Sequence, residues 1–246
     1  ALSLFLVGNK KDEEKLLPRI LQSGMLDGVL IQSGLPGDQF VERLITSRLP
    51  SVMLGRPLVE GDINYVDVDN VEGALKATRY LINLGYKRVA TITGKKGNAV
   101  TKDRLAGYQK AIAESDLALE KALIEEGDFT ESGGYQAMKE LLKSSPDAVF
   151  AASDLMAAGA IRAIQEADLR VPQDVAVVGF DDVPLDSILK VPLTTIRQPI
   201  LKFGMTAVEL LINLTSNGKS LAKNIILETE LIVRESCGAR SRTLQA

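Results

Sequence analysis

AVFAASDLMAAGAIRAIQEADLRVPQDVAVVGFDDVPL, residues 148–185, decides the fold class of this 246-residue chain. AVFAAS (148–153) is apolar at almost every position, and so is DVAVVGF (174–180). Strands of that kind are buried on both faces, as in a parallel sheet covered by helices. Between the two runs, residues 154–167 are rich in Ala and long enough to make a helical crossover. Strand, helix and parallel strand form the repeating unit of α/β folds. The second run then meets two adjacent carboxylates, Asp181 and Asp182.

The same alternation extends in both directions. LSLFLV (2–7), DGVLIQ (27–32), SVMLG (51–55) and RVATIT (88–93) read as strands, as does IILETELIV (225–233). Helices are expected over 10–24, 37–48, 70–84, 102–115, 131–143 and 200–215. In the 70–84 segment Ala74, Ala77, Leu81 and Leu84 recur at three- and four-residue steps, the helical period. Asp69 or Asn70 suits its N-cap, and Gly85 its end. The Gly-rich loop TGKKGNAV (94–101) separates two similar α/β runs and is the expected domain crossing.

Composition narrows the chemistry. The chain is 46% hydrophobic and 25% charged, as in an ordinary globular protein. Its net charge of −3 gives no overall electrostatic footprint for nucleic acid. The single cysteine, Cys237, excludes an internal disulfide. The absence of histidine removes Ser–His–Asp triads and His metal ligands together. No stretch is apolar for long enough to span a membrane, and no secretory leader opens the sequence, so a cytoplasmic protein is expected. NGKS (217–220) resembles the end of a phosphate-binding loop, but Asn213 stands where that motif needs glycine. No cofactor is expected.

In open α/β sheets, ligands bind beyond the carboxyl ends of the strands. Asp181 lies at such an end. Neighbouring side chains on a strand point apart. Paired catalytic carboxylates must instead converge on one bond. We therefore divide the pair: Asp181 faces the ligand crevice, and Asp182 caps a short helix starting at Val-Pro-Leu-Asp. An ordinary strand-to-helix turn, with no ligand, is the alternative that the residues alone leave open.

Several stretches together resemble the effector-binding core of the LacI/GalR family of bacterial transcription regulators. They are VDVDNVEGALKATRYLINLGYKRVATITG (66–94), DRLAGYQKAI (103–112), EEGDFTESGGYQAM (125–138), residues 150–185, PLTTIRQP (192–199) and ETELIVRES (228–236). The resemblance implies a periplasmic-binding-protein-like fold of type I: two similar parallel-sheet subdomains with a ligand cleft between them. The expected subdomains are about 1–95 with 200–220 and about 96–199 with 221–240. It also implies that LSLFLVGNKKDEEK corresponds to the family's second strand and the segment after that strand. The family's helix-turn-helix, and the first strand and helix of its core, then have no counterpart here.

Carried over residue by residue, the resemblance implies a ligand site of Arg104, Asp181, Ser153, Phe129, Gln198 and Arg56. Arg104 offers a fork of donors for hydroxyls, carboxylates or phosphates; a surface charge at a helix start is the alternative. Asp181 accepts from ligand hydroxyls or amines. Ser153 is ligand-facing, and Asp154 caps the next helix. Phe129 is an aromatic wall for a sugar ring or a base, or else ordinary core. Asn98 and Val100 tune specificity, while Asp69 and Asn70 are structural. The implied partners are a small-molecule effector, a sugar or sugar phosphate by default, a second copy of the chain, and operator DNA through a module outside this sequence. A periplasmic sugar-binding protein of a transport system is the alternative. An enzyme is not expected.

Overall fold

The computed structural model describes residues 3–6, 10–21, 26–32, 39–47, 49–58, 62–184, 189–217 and 223–239. In chain order the elements are α1 (Lys10–Leu21), β1 (Val29–Ile31), α2 (Gln39–Thr46), β2 (Ser51–Leu54), β3 (Asn64–Val68), α3 (Asn70–Asn83), β4 (Val89–Thr93) and α4 (Ala99–Ala113). After these come β5 (Ile124–Glu126), α5 (Glu131–Leu142), β6 (Ala148–Ala151), α6 (Asp154–Glu166), β7 (Ala176–Asp181), β8 (Thr194–Arg197), α7 (Ile200–Asn217), β9 (Asn224–Leu227) and β10 (Glu230–Ile232). The α/β alternation read from the sequence runs from α1 to β2 and again from β3 to β7, whereas β2–β3, β7–β8 and β9–β10 follow one another directly.

The chain forms two compact units. One comprises residues up to Asp67 with Ile200–Ile226; the other comprises Val68–Pro199 with residues from Leu227 on. The expected division near residue 95 therefore falls inside the second unit. The reason is α3. Its apolar stripe, Ala74, Ala77 and Leu81, is buried with Tyr108, Phe150 and Phe180 of the second unit. The loop 94–101 does not cross between units; its Asn98 caps α4 by accepting from the Val100 N–H.

The first unit holds a four-stranded sheet in the order β1-β2-β3-β9, with β1, β2 and β3 parallel. Leu17, Ile20, Val41 and Leu44 of α1 and α2 pack with Ile31 and Met53 of the strands. Residues 3–6 lie outside any strand, contrary to the reading of LSLFLV. Leu4 and Leu6 are more than four-fifths exposed, so this run has neither a ladder partner nor a face to bury among the described residues.

The second unit holds a six-stranded sheet in the order β10-β8-β7-β6-β4-β5. All its pairs are parallel except β10 with β8. Its central strands β4, β6 and β7 are buried at all but one position, Asp181; their runs are apolar apart from Thr91, Thr93 and Asp181. One face is covered by α5 and α6, packed through Met138, Leu141, Ile161 and Ile164. The helices α5 and α6 cross closely at two glycines. A side chain on Gly159 would strike the Glu131 carbonyl oxygen, and one on Gly134 would strike the Met156 backbone.

IILETELIV is not one strand. It divides at Glu228–Thr229, so that β9 joins the first sheet and β10 the second. Three strands escaped the sequence reading: β3, β5 and β8. Each is short, and β8 sits in TTIRQP, which reads as a crossover.

Candidate functional site

Within the second unit, β4, β6, β7 and β8 end side by side, because adjacent parallel strands deliver their carboxyl ends to the same edge. Asp181 ends β7 and is paired in register with Arg197 of β8. Its backbone turns to φ 120°, and that of Asp182 to φ 60°. Non-glycine residues adopt such angles only when their surroundings hold them there.

Those surroundings are specific. Arg104, on the second turn of α4, is only 4% exposed. It is therefore not the surface charge that the sequence left as an alternative. Its guanidinium carbon lies 3.5 Å from the centroid of the Phe180 ring. Its Nε donates to Asn70 Oδ1 at 2.9 Å, and one terminal nitrogen donates to the Ala152 carbonyl at 2.5 Å and to Asp181 Oδ1 at 3.2 Å. Gln198 Nε2 donates to the same Oδ1 at 2.6 Å. Oδ2 of Asp181 has no partner among the described residues, and the side chain is 26% exposed. Burial raises the Asp181 carboxyl above its ordinary value, against the opposing pull of Arg104 and Gln198.

Asp182, the expected helix cap, is held by two arginines. Its two oxygens accept from Arg197 Nε and Arg234, each at 2.6 Å. Burial raises its pKa, but those two arginines outweigh it and hold the carboxyl below its ordinary value. Residues 183 and 184 are not helical, and the rest of the expected helix lies outside the described residues.

Ser153, rather than the expected Asp154, caps α6. Ser153 has the extended backbone of an N-cap, φ −157° and ψ 159°, and its hydroxyl accepts from the Met156 N–H. Asp154 is the first residue inside α6 and is 1% exposed. Thr195 Oγ1 donates to its Oδ1 at 2.5 Å, and the Val183 N–H to its Oδ2 at 2.9 Å. Burial, with the charge of Asp181 adding to it, lifts the Asp154 carboxyl to about 7.

Phe129 precedes the N-cap of α5 and stands at φ 66°. Its half-buried ring lies over Gly94, just past the end of β4, where any side chain would collide with it. Beside them the Thr101 hydroxyl of α4 is buried without a hydrogen-bond partner among the described residues. Arg104, Asp181, Ser153, Phe129 and Gln198 thus all belong to the second unit, at or behind its strand ends. Arg56 belongs to the first unit, where its N–H donates to Asp67 Oδ2 at 2.9 Å. Asp69 caps α3, accepting from the Glu72 N–H.

The sequence reading missed Asn70 and Phe180 as supports of Arg104, and Thr195 as a support of Asp154. Phe180 stands in the opening stretch, and an aromatic beside a strand-end carboxylate is the one signal that could have flagged it. The cluster offers an acceptor in Asp181, a donor in Gln198 and an aromatic face. It contains no activated nucleophile. No helix among the described residues is long and apolar enough to cross a membrane.

A family model described as a periplasmic binding protein-like domain matches residues 78–237. The chain is 38% identical over 233 residues to the HTH-type transcriptional regulator CelR of Thermobifida fusca, covering 93% of this chain and 68% of that protein. It is 35% identical to the ribose operon repressor of Escherichia coli strain K12, covering 86% of this chain and 66% of that repressor. A solved structure described as a transcriptional regulator CelR–cellobiose complex superposes with a TM-score of 0.88 at 37% identity, covering 93% of this chain and 71% of that one. The chain thus spans about two thirds of the length of the curated relatives it matches.

Proposed function

The chain belongs to the LacI/GalR family of transcriptional regulators as the effector-sensing core, and we propose that it holds a sugar-type effector at the strand ends of its second unit. One observation carries this reading. Asp181 is fixed through Oδ1 by a buried arginine and a glutamine, while Oδ2 is unpartnered among the described residues and the side chain is partly exposed. A carboxylate oxygen held in this way is a preorganised acceptor for a ligand hydroxyl, and charge-assisted bonds of that kind are the strong ones. Gln198 adds an adjacent amide, and Phe129 a face for the C–H side of a ring. A relative of this chain is described in complex with cellobiose, and another is named for ribose, which makes sugars the first class to test.

The regulator reading takes precedence over a transport protein because the matched relatives are transcriptional regulators. They are not enzymes, and binding here replaces chemistry. Effector occupancy shifts the protein between states only by as much as its affinities for them differ. In our reading that shift governs operator binding through a DNA-binding module, in the cytoplasm, by a homodimer. An exposed apolar row on α7, Leu201, Met205, Val208 and Ile212, supports association, since such rows are seldom left to water.

A thermal-shift panel of cellobiose, ribose, sugar phosphates and purines tests the ligand class. We expect stabilisation by a sugar; stabilisation by purines alone would reassign the site. Light scattering is expected to give twice the chain mass, and a clean monomer contradicts the dimer.

A further inference from the structure

We propose that Asp154 is the positioning residue of the site: it clamps the turn Asp181–Val183 to β8 and so sets the direction of the Asp181 carboxylate. The inference rests on the reading of Asp181 as the effector's acceptor and extends it inward. The Asp154 side chain is buried, and its carboxylate accepts from two donors on other elements: the Thr195 hydroxyl of β8 and the Val183 N–H. The second of these belongs to the turn that carries φ 120° at Asp181 and φ 60° at Asp182. Left to itself, a turn with two such residues relaxes. Two bonds to one buried carboxylate, one from the turn and one from β8, provide a restraint.

The backbone around Asp154 makes room for it. Gly179 lies two residues before Asp181 on β7, and any side chain there would collide with Asp154 Oδ1. This glycine is needed for space rather than for an unusual φ. The groups facing Asp154 from neighbouring elements are Asp181 and Asp182 at the end of β7, with Lys190 and Arg234 lining the same recess. Arg197 and Arg234 are already committed to Asp182. Asp181 is the carboxylate whose charge adds to that of Asp154. A group titrating near neutrality behind the acceptor therefore links the acceptor's setting to pH.

Hydrogen exchange and amide NMR on the ligand-free protein test this directly. In Asp154→Ala the Val183 amide is expected to exchange more than tenfold faster, while the amide of Val177, near the start of β7 and bonded to the Ser236 carbonyl, keeps its protection. Unchanged exchange at Val183 overturns the clamp. An equal loss at Val177 also overturns it, because Asp154 would then be supporting the fold as a whole. The Val183 amide shift is expected to titrate with a midpoint near 7 in the native protein and to stop titrating in Asp154→Asn, and persistence of that titration in the variant contradicts the assignment. Neither readout uses a ligand. If both come out as expected but Asp181→Ala binds cellobiose or ribose as the native chain does, the clamp stands and the effector reading of Asp181 falls.

Discussion

Asp154 is buried as an acid whose ionised form is costly. Its carboxyl lies at about 7 in the folded chain against an ordinary 3.8. The folded state therefore binds this proton more tightly than the unfolded state does. The stabilising effect is complete below about pH 4 and is lost as pH rises through about 7. Between pH 5 and 8 that loss amounts to about 3 kcal/mol. Urea unfolding should show Asp154→Asn losing less stability than the native protein over that range, and parallel pH curves contradict this. Arg104 carries a second prediction. Arg104→Lys removes the planar fork stacked on Phe180 and cannot keep Asn70, Ala152 and Asp181 bonded together. Stability should fall by about 2 kcal/mol or more, since breaking a buried ion pair strands its partner. The strand-end position of Asp181 was legible in the sequence because it is a local feature. The partners of Arg104 were not, since Asn70 and Asp181 lie 34 and 77 residues away in the chain.

At the scale of elements, the α5–α6 pair depends on the absence of side chains at Gly134 and Gly159. Gly159→Leu must push α6 away from α5, and overpacking of this kind costs about 1–3 kcal/mol. The thermal midpoint should drop, with a loss of Met138 and Leu141 protection in hydrogen exchange. An unchanged midpoint would show that the helices can separate freely. The central strands β4, β6 and β7 were legible because their buried runs are almost wholly apolar. The strands β3, β5 and β8 were not, because NYVDV, IEE and TTIR carry polar residues that only their neighbours explain. Ser153 and Asp154 show the limit most clearly. Both residue types cap helices, and only the backbone decides which one stands outside the first turn.

At the scale of the molecule, the alternation of strand and helix established the α/β class, but it placed the division between units about one helix and one strand too late. Periodicity shows that α3 has an apolar stripe; it does not say which sheet the stripe covers. The functional account rests on the second unit, where one acceptor oxygen is fixed and the other has no partner among the described residues. Isothermal titration calorimetry of the native chain and Asp181→Ala with cellobiose and ribose addresses that claim most directly. We predict that at least one sugar binds the native protein and that Asp181→Ala weakens it more than tenfold, about 1.4 kcal/mol, with the fold retained. Equal affinity in the two proteins would contradict the account.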